Sequence, residues 1–232
     1  MFSICARGFA LEDKVSTNFA ATMNIVQHSL ISVRKFGGEV DDYVAVHRFL
    51  DSTKLYFHHI KHRAVLHNTY GVELAVELFG DSLENSNGKY ISVRDVAIAH
   101  LKEDLSGKVP TLVEWFDNCG ELESYTPEWS GTSNQKLLEF VNRPWLRSGL
   151  PFTKFITLSD FGVELCQKLL GVETAIELRN TLTTANTLKY PLNLFRLRKP
   201  WQYTPDPAEL QWLRENEPEA EQVMVGEAHN EA

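Results

Sequence analysis

The sequence predicts a mainly α protein: a compact helical N-terminal domain with a small β-hairpin, followed by a second mixed, mostly helical region. Three observations lead there. Apolar residues recur at helical spacing between recognisable caps. One turn signal, Asn85-Ser86-Asn87-Gly88, is followed by the strand-like run Lys89–Val93. Apolar residues make up 43% of the chain and aromatics 11%, enough to build a core over most of its length.

The elements follow in order. Residues 1–22 read as an N-terminal extension. Asn24 caps a first helix carrying Ile25, Val26, Leu30 and Val33, closed by Gly37-Gly38. Asp41 and Asp42 open a second helix that runs to about Leu50. Asp51 or Ser52 caps a third, long helix whose apolar positions Val65, Val72, Val76 and Phe79 continue to Gly80. After the hairpin, Ser92 caps a helix with Val93, Val96, Ala97, His100, Leu101 and Asp104 on one face. Thr111 and Glu114 form a capping box over a short helix to Phe116, and the domain 23–118 closes there.

Residues 119–134, rich in Gly, Ser, Thr, Pro and Glu, read as a linker or surface loop. In the region 135–216, a helix over 135–142 is expected to stop before Pro144. Others are expected over 159–170 and 172–184, with an extended stretch at 190–205 and a last helix near 208–214. Residues 217–232 form an acidic tail. Gly71–Gly80 and Gly162–Gly171 are identical at six of ten positions and read as two amphipathic helices ending in glycine.

Charge and composition narrow the function classes. The net charge is −8, and six of those negative charges are glutamates after Arg214, so the remainder is close to neutral. Clustered Lys and Arg for a nucleic-acid footprint are missing, which makes nucleic acid an unexpected partner. No window approaches the roughly 18 apolar residues of a membrane span, so no membrane partner is expected. Cys5, Cys119 and Cys166 show neither a disulfide framework nor a zinc spacing. With no leader pattern at the N-terminus, a cytoplasmic location is expected. The tail suggests contact with another protein.

Seven of the eight histidines fall between residues 28 and 100. Imidazoles and carboxylates are the ligands that divalent transition metals take in helical bundles. The candidate metal ligands are His47, His62, His100, Asp104 and His28. On one continuous third helix, His67 would lie about 140° around from His62 and face elsewhere. Arg34 and Arg63 are candidate anion clamps. The bland alternative is that these histidines only hydrogen-bond to carboxylates and backbone. No H-E-x-x-H, C-x-x-C, phosphate loop or nucleophile elbow is present.

Residues 27–116 also resemble a family of uncharacterised small proteins from bacteria and their phages. The resemblance rests on His28, Ser32–Gly38 (SVRKFGG), Asp42-Tyr43, His47, Asp51, Lys54, His62-Arg63-Ala64, His67, Phe79-Gly80, His100, Glu103-Asp104-Leu105 and Pro110-Thr111. Asn68 stands where that family usually has a second histidine. The resemblance implies a fold unit and a bacterial cell, phage-infected host or virion setting, and no activity. Two functions are carried forward: a non-catalytic accessory or protein-interaction protein, and a metal-dependent hydrolase of a phosphoester or similar small substrate.

Overall fold

The computed structural model describes residues 19–202 except 118, 184 and 185. The expected mainly α architecture is present. Helices α1 (Phe19–Phe36), α2 (Asp41–Leu50), α3 (Arg63–Leu66) and α4 (Thr69–Phe79) lead into a hairpin of β1 (Ser82–Glu84) and β2 (Tyr90–Ser92), and then α5 (Val93–Asp104). The strands are antiparallel, with Leu83 opposite Ile91. Then come α6 (Leu112–Phe116), α7 (Gly120–Glu123), α8 (Gln135–Ser148), α9 (Asp160–Leu170), α10 (Val172–Thr181) and α11 (Lys189–Leu194). Short 3₁₀ turns cover Ser52–Leu55, Ile60–His62, Pro151–Ile156 and Pro200–Gln202. Among the described residues no helix is long and apolar enough to cross a membrane.

Several local readings hold. Ser92 accepts the Asp95 N–H and starts α5, and Thr111 with Glu114 forms a full capping box on α6. Gly37 and Gly38 both take positive φ, as the tight α1–α2 connection requires. The Asp42 carboxylate accepts from Glu39 N–H and from both Ser86 N–H and Oγ, which fastens that connection to the hairpin.

Other readings are corrected. α1 begins at Phe19, ahead of the Asn24 cap and inside the segment read as an extension. The third helix is not continuous: after two 3₁₀ turns and the single turn of α3, the chain breaks at His67, where φ is −83° and ψ 59°. Asn68 then caps α4, its Oδ1 accepting from Gly71 N–H while Nδ2 donates to the Ala64 and Val65 carbonyls. α8 passes through Pro144, which is buried beside Leu137, Phe140 and Val141, so packing of this face outweighs the missing proline N–H. α10 ends at Thr181, and residues 189–194 are helical rather than extended. The helix expected near 208–214 and the acidic tail lie outside the described residues.

α5 packs against α1, α2 and α4, and these helices enclose the histidines. The buried apolar residues form one cluster that runs from Tyr43 to Leu197. The boundary expected at residue 118 falls within it, where Phe116 meets Phe152, Phe155 and Phe195 edge-on. The stretch read as a linker carries α7 with buried Leu122, and Trp129 Nε1 donates to Thr181 Oγ1.

The two similar decapeptides share one packing device. Asn68 caps α4 and Ser159 caps α9, each accepting from a glycine N–H three residues on. A Cβ on Gly71 would stand 1.8 Å from the Leu66 carbonyl oxygen, and one on Gly162 would stand 2.1 Å from that of Thr157. These obstacles are backbone, so the strain cannot be relieved by turning a side chain. Gly71→Ala and Gly162→Ala are each expected to destabilise the protein by about 1–3 kcal/mol. Gly120→Ala, with nothing within 4 Å, should leave the urea midpoint unchanged or slightly raised. Equal midpoints for all three variants would contradict this packing.

Candidate metal centre

Three parts of the fold deliver the cluster. Asp51 is the C-cap of α2, His67 sits at the α3–α4 break, and His100 and Asp104 occupy one face of α5 at i, i+4. One ligand atom from each of these four lies within 4.8 Å of the others. His67 Nε2 is 2.8 Å from Asp104 Oδ2, 3.1 Å from His100 Nε2 and 3.6 Å from Asp51 Oδ1. His100 Nε2 is 3.5 Å from Asp104 Oδ2 and 3.8 Å from Asp51 Oδ1. Metal–ligand lengths near 2.0–2.1 Å give tetrahedral edges of about 3.3 Å, the middle of this range. The two rings are fully buried and each carboxylate is 5% exposed.

The surrounding groups orient the set. His100 Nδ1 is 3.1 Å from His47 Nδ1, and His47 Nε2 is 3.0 Å from Ser32 Oγ. This chain is self-consistent when His100 keeps its Nε2 lone pair. His100 Nδ1–H then donates to His47 Nδ1, and His47 Nε2–H donates to Ser32. Fixing the tautomer through the far nitrogen is how metal-ligating histidines are held. His28 bridges two acids, with Nδ1 2.5 Å from Glu103 Oε2 and Nε2 3.3 Å from Asp104 Oδ1. Arg63 Nη2 lies 3.3 Å from Asp104 Oδ1, and Lys54 Nζ lies 3.3 Å from Asp51 Oδ1.

Electrostatics divide the groups into two sets. Burial alone would lower the His28 pKa, but the Asp104 and Glu103 carboxylates against its two ring nitrogens outweigh it and raise the value to about 10. Burial and then the His28 charge push His47 down to about 3. His62 and His100 are held well below 6.5 by burial, and His67 is lowered too. Burial would raise Asp104, but the Arg63 charge and the bonds from His28 and His67 hold it well below the usual carboxylate range. Burial likewise works against ionised Asp51, which the Lys54 charge keeps at about 2. The ring nitrogens thus present lone pairs and the carboxylates present negative charge.

Not every candidate residue joins the four. His100 and Asp104 belong to them. His47 stands behind His100 and His28 behind Asp104. The fully buried His62 ring is 5.6 Å from that of His67, centroid to centroid, with neither nitrogen hydrogen-bonded. Arg63 reaches the cluster, whereas Arg34 is exposed in the last turn of α1. His67 and Asp51 are the additions. His67 was turned away by the assumption of one continuous helix, although Asn68 followed by Thr69-Tyr70-Gly71 is itself a cap signal. In the sequence Asp51 stands out as a possible helix cap.

A family model described as a domain of unknown function (DUF6915) matches residues 23–125, which include every residue of this cluster. No curated protein and no solved structure matches the chain.

The pKa directions set how stability follows pH. His47, His62, His67 and His100 have folded values below 6.5, so beneath that pH the unfolded chain binds more protons and stability falls on acidification. His28 is protonated in both states there and adds no slope. Its own contribution is lost as pH rises from 6.5 through 10. From pH 6.5 to 5 the metal-free protein is expected to lose up to about 1.4 kcal/mol per pH unit for each of the four histidines. Urea unfolding at stepped pH measures this, and a flat profile would refute the neutral buried set.

Proposed function

We propose that the unit over residues 23–125 is a metal-binding module in which Asp51, His67, His100 and Asp104 hold one divalent transition ion. The ion serves as a brace for a non-catalytic accessory or interaction protein. The convergence of four buried donor atoms from α2, the α3–α4 break and α5 carries this reading. Hydrogen bonding alone accounts for them poorly. His67 Nε2, His100 Nε2 and Asp104 Oδ2 crowd one point and cannot all be served by the one proton His67 offers. Neither Asp51 oxygen accepts a hydrogen bond, although both are buried. A cation would satisfy all of these together, offsetting desolvation that is otherwise costly. Two imidazoles and two carboxylates suit Zn²⁺. Four protein donors fill its coordination, as in sites that support a fold.

A second reading, the metal-dependent hydrolase of a phosphoester or similar small substrate, is favoured by Arg63 and His28. Both stand at the Asp104 carboxylate, where a cation and a proton donor would serve an anionic substrate. Contact with another protein through the acidic residues after Arg214 is proposed on charge alone. The bacterial or phage setting rests on the resemblance of residues 27–116.

Chelator-treated protein given Zn²⁺ is expected to retain one ion per chain after desalting, measured by elemental analysis. It should gain about 2.7 kcal/mol of stability at free metal one hundred times its Kd. His100→Gln should abolish both effects. Retention of no ion by folded protein would overturn the metal reading. Zinc-dependent cleavage of bis(p-nitrophenyl) phosphate, lost in His100→Gln, would favour the hydrolase over the brace.

A further inference from the structure

A cavity of about 310 Å³ opens between the segment 56–61 and α11, lined by Tyr56, Phe57, His59 and Lys61 on one wall and Lys189 and Asn193 on the other. It is separate from the four metal-directed donors, none of which lines it. Three features give it a chemical character. Each wall carries a lysine, and no carboxylate lines the cleft among the described residues. Two flat rings, Phe57 and His59, sit side by side with centroids 5.9 Å apart and planes 37° apart. Three contacts hold the cleft in shape: His59 Nδ1 accepts from Lys61 N–H, Lys61 Nζ donates to the Asn193 carbonyl of the opposite wall, and Tyr56 packs edge-on against Phe161.

We propose that this cleft binds a small phosphorylated ligand carrying one planar ring, of the nucleoside monophosphate class. Lys61 and Lys189 both line the cleft, and a lysine ammonium binds phosphate through charge-assisted hydrogen bonds. Because Nδ1 of His59 is occupied as an acceptor, Nε2–H is the ring's donor. Phe57 and His59 offer the apolar, π-faced surface on which a base stacks with little regard to its identity. The volume lies at the lower end of the roughly 300–1,000 Å³ of small-molecule sites. One ring and one phosphate therefore suit it better than a dinucleotide or a strand.

The test is calorimetric titration of the full chain in EDTA, so that the outcome does not depend on the metal centre. Adenosine, guanosine, cytidine and uridine monophosphates, inorganic phosphate and the free nucleosides are the probes. At least one monophosphate should bind about tenfold more tightly than phosphate or its own nucleoside. Lys189→Gln should weaken it about tenfold, the loss of one charge-assisted hydrogen bond. The melting temperature should not change, since Lys189 is exposed. Phe57→Leu should weaken the monophosphate and leave phosphate affinity unchanged. Binding of no monophosphate, equal affinity for phosphate alone, or an unaltered affinity in Lys189→Gln would each overturn the proposal.

Discussion

Two carboxylates, Asp51 and Asp104, lie inside a helical core, and their burial is the constraint around which the N-terminal half is arranged. An isolated ionised carboxylate is expensive to desolvate, so each must be met by cations or donors. Asp104 receives His28, His67 and Arg63, from α1, the α3–α4 break and α3. Asp51 receives Lys54 from the adjoining 3₁₀ turn. α5 therefore packs on its neighbours through a polar network as well as through Val93, Val96 and Leu101. The network leaves both Asp51 oxygens buried without hydrogen bonds, the deficit that the proposed cation would meet.

The interruption at His67 makes that network possible. In an unbroken helix His67 and His62 would diverge. With the break, the His67 ring comes within 4.9 Å of the His100 ring, centroid to centroid. The kinked backbone is not left open. Trp115 Nε1 donates to the His67 carbonyl, and Thr69 N–H donates to the Pro110 carbonyl. Trp115 in turn packs on Phe195 and Trp201. The position of His67 is thus supported by residues beyond the span that matches the family model, so the two halves share both a core and the backing of the cluster.

The repeated cap-and-glycine device at α4 and α9 separates local structure from chemistry. Both helices start on a side-chain cap and press a glycine against the preceding carbonyl, and α4 and α9 are themselves in contact. Where His67 precedes α4, Leu158 precedes α9, and the second copy lies in apolar surroundings. The motif is a way of seating a helix, and the histidine chemistry is an addition to one copy of it.

Much of this fold was legible in the sequence, because caps, the hairpin turn and helical periodicity act over a few residues. Ser92, Thr111 with Glu114, and Asn85–Gly88 stand as their local chemistry dictates. The histidine concentration and the shared face of His100 and Asp104 were legible for the same reason. Where periodicity alone was used it overran: apolar spacing from Val65 to Phe79 spans a break that a helix-period pattern does not register. Pro144 stays inside α8 because burial of its face against the second half outweighs one lost hydrogen bond, a balance set by distant residues. The sequence by itself determined the side-chain-capped helix starts at Ser92 and Thr111, the hairpin, and the concentration of possible ligands between residues 28 and 104. Tertiary structure alone decided that His67 and Asp51 join His100 and Asp104 while Arg34 stays outside, because convergence depends on how the end of α2, the α3–α4 break and α5 cross in space.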